Sequence, residues 1–431
     1  MATAQSRRLS GQTSRGARLR AVLDIGCSKV TCLIGHNDGS SPRHFKIHGS
    51  GSQPSRGFSG GAITDMDGLE RSIRLAVEDA ERQAGQQIET ITLGITGPSV
   101  SSTLVTASMQ VNGREISIRD VRRLQAEALA KIKTKDADIL AAWPVAYRVD
   151  DQEGVREPTG MIANNFGLLL SVVTAPSLMV RNLVECVSRA HLHVEHMVPS
   201  SIASGAGTLI DDEIENGAIC IDMGAGVTAV SVYLNGSPAW LGLIPMGGNR
   251  VTADIVEGIG TTFAAAERLK AIYGTADLDG PSMAERIEIP RLGDDGRLQG
   301  ARMQKGDVAK IIAPRIEETF ELIQKTLAAS GVRTVLPRRY ILTGGASQLS
   351  GVRGVATRIL QSPVRLGRPT MAEVLGEKLA TPAFSTASGL LLYEELGFVD
   401  AARAGAVSSH FGANTDSGIV NKILNWLKEN F

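Results

Sequence analysis

Two short stretches of this sequence carry an aspartate, glycines and small polar residues at matching spacing. Residues 21–34 read AVLDIGCSKVTCLI, and residues 218–233 read AICIDMGAGVTAVSVY. Asp24 aligns with Asp222, Gly26 with Gly224 and Ser28 with Gly226. Polyphosphate binding is the chemistry that suits the pattern. Glycines and small residues let backbone N–H groups approach phosphate oxygens. An aspartate at the end of each strand can hold Mg2+ between two such turns, usually through water. One D-x-G arises constantly by chance; two in matching contexts carry more, against the alternative of two ordinary hairpins with turn aspartates.

Two further glycine elements suit the same chemistry. In RYILTGGASQLSGV, 339–352, a strand containing Ile341 and Leu342 runs into Gly344, Gly345 and Ala346, then a polar turn and a helix. Glycines there let backbone pack flat against a nucleobase or ribose, and the helix N-terminus favours nearby negative charge. In MGGNRVTADI, 246–255, Gly247, Gly248 and Asn249 precede a helix and offer exposed N–H donors. Glu267 and Lys270 follow at i, i+3 on one helix face, a spacing that by itself reads as a surface ion pair.

These residues need elements to hold them. Each D-x-G stretch is an apolar β-branched run, a tight small-residue turn and a second apolar run, which is the pattern of a β-hairpin. No helix-period segment follows directly, so neither is a Walker loop or a Rossmann turn. Residues 88–175 read as a self-contained α+β unit. Ile91–Ile95 and Leu104–Val111 alternate as strands, Ser117 and Asp120 form a capping box, and Ile118, Val121, Leu124, Ala128 and Ile132 share one helix face. Trp143–Val149 and Leu168–Val173 add strands.

Composition limits the partners. Lys+Arg equals Asp+Glu at 45 each in 431 residues, so no net field steers the whole molecule onto nucleic acid or an anionic membrane, and any such contact must come from a local segment. Cys27, Cys32, Cys186 and Cys220 form no C-x-x-C pair and read as reduced thiols. His191, His193 and His196 read as a solvated helix-to-strand junction rather than a zinc site. The first 20 residues carry five arginines and no acid or apolar core, which suits a disordered basic arm over 1–18 rather than a secretory signal.

The tail differs in character. Residues 399–418 are rich in Ala, Gly and Ser and read as a flexible linker. After them comes IVNKILNWLKENF, 419–431, where Val420, Ile423, Leu424, Leu427 and Phe431 fall within one arc of a helix and Trp426 sits at its side. At about 1.5 Å per residue such a helix is roughly 20 Å long, too short to span a bilayer but suited to lie in its interface. A last helix folded onto the core is the alternative.

DIGCSKV, IDMGAGVTAV, MGGNRVTADI with AAERLK, and LTGGASQLSG, in that order, resemble the nucleotide site of the actin, sugar-kinase and chaperone superfamily. GREISIRDVRRLQAEA at 113–128, Pro144, Tyr147 and Asp150, and EPTGM at 157–161 narrow the resemblance to the FtsA family of bacterial cell-division proteins. It runs over residues 19–398. It implies an α/β fold of two lobes, each on a duplicated ribonuclease-H-like mixed sheet, with an inserted α+β subdomain and a C-terminal amphipathic helix. The implied division is 19–87 with 176–201 and 377–398 (subdomain 1A), 88–175 (1C), 202–258 with 307–376 (2A) and 259–306 (2B).

The resemblance implies an ATP cleft between the lobes. Gly26, Cys27 and Ser28 match one phosphate loop, Gly224, Ala225 and Gly226 the other, and Asp24 and Asp222 the Mg2+-side aspartates. Gly344, Gly345 and Ala346 match the adenosine motif, Glu267 and Lys270 the ribose and adenine contacts, and Lys29 a phosphate-facing lysine. Active relatives place Gln or Glu at the start of the helix joining the lobes; HMVPSSIASGAG, 196–207, holds Val198 and serines there, which implies very slow hydrolysis and leaves the catalytic residues unassigned. The implied partners are other copies in filaments, the tail of FtsZ at 259–306, divisome proteins at 88–175 and the inner face of the cytoplasmic membrane at the division site. A pilus-assembly scaffold and an ATP-dependent kinase or chaperone are the rival readings.

Overall fold

The computed structural model describes residues 19–404 apart from 134, 281, 294 and 333–335. The basic arm and the 419–431 helix, with Val420, Ile423, Leu424, Trp426, Leu427 and Phe431, lie outside the described residues.

Two sheets of the same topology organise the chain. The first begins with an antiparallel meander, β1 (Arg20–Ile25), β2 (Lys29–Asn37) and β3 (Phe45–Pro54). A miniature hairpin, β4 (Phe58–Ser59) and β5 (Ala62–Ile63), leads into helix α1 (Met66–Ala84). Then β6 (Thr90–Ile95) lies parallel to β1. The chain next builds an inserted four-stranded sheet from β7 (Ser101–Glu115), helix α2 (Ile118–Ala130), β8 (Ala137–Val149), β9 (Gln152–Val155) and β10 (Ile162–Pro176). Helix α3 (Ser177–Arg189) returns to the first sheet, which β11 (His193–Pro199) completes in the order β11-β6-β1-β2-β3.

Helices α4 (Ser200–Thr208) and α5 (Asp211–Asn216) lead to the second lobe. There β12 (Ala218–Met223), β13 (Thr228–Leu234) and β14 (Ser237–Ile244) repeat the meander. Helices α6 (Gly248–Ile259) and α7 (Phe263–Tyr273), the hairpin β15 (Arg286–Leu292) and β16 (Leu298–Gln304), and helix α8 (Lys305–Ala329) follow. β17 (Tyr340–Thr343), helix α9 (Val352–Leu360) and β18 (Val364–Leu366) then give the order β14-β13-β12-β17-β18. The chain returns to the first lobe through α10 (Ala372–Leu379) and α11 (Ser385–Leu392), and its last described element is α12 (Ala401–Ala404). The two-lobed architecture with an α+β insertion is therefore present.

Two expected boundaries change. Ile91–Ile95 is not part of the insertion: Val22, Leu23 and Asp24 pair with Thr92, Leu93 and Gly94, so β6 belongs to the first lobe. Alternation cannot tell which sheet a strand will join. Likewise 399–404 is not free linker. Asp400 is buried, its Oδ1 accepts from the amides of Ala142 (2.9 Å) and Ala402 (3.0 Å), and Ala401 is buried in the core of the insertion.

The lobes meet at α4 and α11. Every residue of α4 is buried, and seven of its nine are Ser, Ala or Gly. In α11 the small residues Ser385, Ala387, Ser388 and Gly389 are buried too. A Cβ on Gly389 would overlap the Ala203 carbonyl, and one on Gly207 would overlap the Ser385 carbonyl. The two helices thus cross with backbone against backbone. Gly389→Ala is expected to lower stability by about 3 kcal/mol. Gly354→Ala on α9, where a Cβ meets nothing within 4 Å, should be neutral or gain up to about 1 kcal/mol. Urea unfolding of both variants checks this.

Candidate functional site in the interlobe cleft

The two D-x-G stretches form near-copies. Gly26 N donates to Lys29 O at 3.0 Å, and Gly224 N donates to Val227 O at 3.0 Å, so each turn closes on itself in the same way. Asp24 sits opposite Thr31 and Asp222 opposite Ala229 near the ends of equivalent strands. The turns face each other: a Cβ on Gly226 would lie 2.5 Å from Cys27 Sγ and 3.3 Å from the amide nitrogen of Gly60. Cys27 is the contact between them. Burial pushes its thiol up, and the backbone amides of Gly61, Gly60 and Gly226 oppose that shift.

The charges are half-buried together. Burial, and after it the Asp222 charge, push the Asp24 carboxyl up to about 7 against the pull of Lys29. Burial also lifts Asp222, while the hydroxyls of Thr386 and Ser204 and the Lys29 ammonium pull it down. Lys29 is lowered by burial to about 8 although both aspartates favour its charge. Its Nζ stands 3.2 Å from the centroid of the Phe384 ring, a cation–π contact. Thr386 Oγ1 donates to Asp222 Oδ2 at 3.0 Å from the first turn of α11.

The other glycine turns close around this centre. Gly344 has φ +85°, and a side chain there would overlap Asp222 Oδ1, so only glycine admits the 344–346 turn beside the carboxylate. Gly345 lies against Ala383. A Cβ on Gly248 would lie 3.4 Å from both Ala346 Cβ and Lys270 Nζ. Ser28 is exposed at the edge of the first turn, and its carbonyl accepts from Ser55 N at 3.0 Å.

Two readings of the sequence need correction here. The amides of Gly248 and Asn249 are not open donors: they bond to Gly224 O (2.9 Å) and Ala225 O (2.8 Å), so Gly247–Asn249 braces the second turn. Nor are Glu267 and Lys270 a plain surface pair. Lys270 Nζ donates to Glu267 Oε2 (2.8 Å), Thr252 Oγ1 (2.7 Å) and Gly248 O (2.9 Å), tying α7 to the first turn of α6. Thr252, Phe384, Thr386 and Ser204 were not singled out in the sequence. The hydroxyl-rich run 381–388 is the signal that could have found two of them.

At the start of α4 stands Ser200, whose buried hydroxyl has no hydrogen-bond partner among the described residues. A Cβ on Gly94 would touch both it (3.1 Å) and Asp24 Oδ1 (3.6 Å). Val198 is buried at the end of β11. The connecting helix thus brings a serine, with no carboxylate or carboxamide of its own, towards Asp24. Two half-buried carboxylates, one ammonium and glycine turns without room for side chains make a donor set that fits a hydrated divalent cation and polyphosphate oxygens.

The Asp24 shift has a signed consequence. Its pKa is raised on folding from 3.8 to about 7, so its contribution to stability is fully present below about pH 4 and is lost as pH rises through 7. Asp24→Asn should flatten the fall in stability between pH 4 and 7, measured by urea unfolding without metal.

A profile described as cell division protein FtsA matches residues 219–389, and one described as the SHS2 domain inserted in FtsA matches 97–174. The chain is 38% identical to cell division protein FtsA of Agrobacterium fabrum over 436 aligned positions, covering 98% of this chain and 97% of that one. It is 34% identical to FtsA of Neisseria meningitidis (96% and 99% covered) and 30% identical to FtsA of Escherichia coli (95% and 97%). Among solved structures it is similar to the PilM–PilN type IV pilus biogenesis complex, with TM-score 0.61, 16% identity and coverage of 87% of this chain and 98% of that one. MreB5 of Spiroplasma citri bound to ADP gives TM-score 0.51 at 12% identity, covering 88% and 96%. The fold is actin-like, and the chain belongs to the FtsA family of cell division proteins.

Proposed function

We propose that the cleft binds ATP with Mg2+ and that the nucleotide serves chiefly to set the angle between the lobes, favouring assembly into filaments. The observation that carries this reading is the pair of matched turns bringing Asp24 and Asp222 to one half-buried centre with Lys29. Gly26, Cys27 and Ser28 on one side and Gly224, Ala225 and Gly226 on the other line the polyphosphate. Lys29 meets its charge, Asp24 and Asp222 hold the cation through water, Gly344–Ala346 take the adenosine, and Glu267 and Lys270 border the ribose. The metal supplies charge neutralisation between the carboxylates and the phosphates. The groups come from both lobes and meet one ligand, so binding would favour the arrangement in which both sets reach it.

Hydrolysis is slow in this reading, because Ser200 cannot orient a water as a carboxamide or carboxylate does. Filaments would present many copies of the 419–431 segment on one face. Each copy binds the inner face of the cytoplasmic membrane weakly, and avidity makes the whole array stable. Subdomain 259–306 takes the FtsZ tail and the insertion takes other division proteins, so the array tethers the FtsZ ring at the division site. No helix among the described residues is long and apolar enough to cross a membrane, which accords with attachment from one side.

Two measurements test this. Calorimetric titration with Mg-ATP should give saturable binding that Asp222→Ala weakens at least tenfold. In the wild type, binding should tighten with pH up to about 7, since the cation takes the ionised form of Asp24. Phosphate release at about 1 s⁻¹ or faster would contradict the conformational role. Removing residues 419–431 should abolish co-sedimentation with phosphatidylcholine vesicles while leaving Mg-ATP binding unchanged.

A further inference from the structure

The exposed face of helix α2 presents cations that no carboxylate answers. Between residues 114 and 133 there are six Lys and Arg against three acids, in a chain whose total charge balances. Arg114 is spent on Asp120, which also caps the helix with Ser117, and Lys131 faces Glu127 at 3.5 Å. Arg119, Arg122 and Arg123 are exposed, and none makes a hydrogen bond or ion pair among the described residues. At 100° per residue the three occupy one arc about 100° wide, which Ala126 and Ala130 continue over the next two turns of the helix. Ile118, 52% exposed at the start of the helix, flanks the stripe from the edge of the apolar face.

This stripe lies where the chain leaves the described structure. Helix α12 packs against α2 and β8. Its position is locked: Asp400 caps the Ala142 amide, Arg403 Nε sits 3.4 Å from Asp400 Oδ2, and the Arg403 guanidinium stacks 5.7 Å over Tyr393. Residues 405–418 therefore start beside α2. Fully extended they span at most about 50 Å, so a bilayer that holds 419–431 lies within reach of the arginine stripe.

We propose that the Arg119, Arg122 and Arg123 face of α2 is a second membrane contact, which binds the phosphate groups of anionic lipids beside the tail. The proposal rests on the tail's membrane reading above. A helix face that runs from the arginines into Ala126 and Ala130 offers a convex, multivalent cationic surface rather than a groove for a peptide. Guanidinium groups bind phosphate oxygens bidentately, and Ile118 can enter the interfacial layer. Each arginine near an anionic surface strengthens attachment roughly fivefold, and the effect fades with salt. The insertion would then lie against the bilayer and fix the orientation of the lobes over it.

The test uses the full-length chain on vesicles of phosphatidylglycerol mixed with phosphatidylcholine, and on phosphatidylcholine alone. The triple substitution Arg119→Gln, Arg122→Gln, Arg123→Gln should weaken binding to the anionic vesicles tenfold or more and flatten its salt dependence. Binding to neutral vesicles and the thermal unfolding midpoint should not change. The matching triple Lys variant should keep most of the anionic preference. Unchanged binding to anionic vesicles, or equal loss on both kinds, overturns the proposal. So does a triple Gln variant that binds the vesicles normally but no longer binds polyglutamate, which would assign the stripe to an acidic protein partner. Deleting 419–431 is the separate arm, read on the phosphatidylcholine vesicles that the stripe does not bind: binding there that survives the deletion overturns the tail reading, and the Gln variants of the intact chain still decide the stripe.

Discussion

The structure depends on two short helices that cross with no side chain between them. α4 and α11 connect the lobes, and the contact of Gly389 with Ala203 and of Gly207 with Ser385 brings their backbones together. Because of that closeness, both helices can begin at the cleft. α4 opens with Ser200 near Asp24, and the first turn of α11 delivers Thr386 to Asp222. Larger residues at the crossing would push the lobes apart and separate the two aspartates. The small-residue composition of α4 is thus a packing requirement with a direct effect on the chemistry of the cleft.

Electrostatics explain why the cleft is poised for a ligand. Two carboxylates and an ammonium are held where water solvates them poorly, so Asp24 resists ionisation and Lys29 resists protonation. A cation between the carboxylates and phosphates before the lysine would each relieve part of that cost. The neighbouring glycine turns leave space while spending their own amides locally, as Gly248 and Asn249 do on the second turn.

Strand β8 joins the insertion to both lobes. Trp143 lies in the core of the first lobe, Val145 in that of the second, and Ala142, Tyr147 and Val149 in that of the insertion. Ser102 exchanges two 2.9 Å hydrogen bonds with the backbone of Leu241, and Arg156 pairs with Glu215. Asp400 then clips the chain's departure point to the same strand. A change in lobe angle must therefore be felt at the insertion and where the tail leaves.

The sequence by itself determined the paired hairpins, their aspartates and glycines, and the capping box of α2, because each is made of hydrogen bonds and periodicities within a few residues. It determined the family as well, through the order of those local pieces. Only the tertiary structure decided that β6 belongs to the first sheet, since alternation does not name a strand's neighbour. It also decided that Phe384 and Thr386 reach Lys29 and Asp222, that the Gly248 and Asn249 amides are already used, and that 400–404 is docked. These are contacts between residues far apart in the chain, set by how faces pack, and neither propensity nor spacing encodes which distant face will arrive.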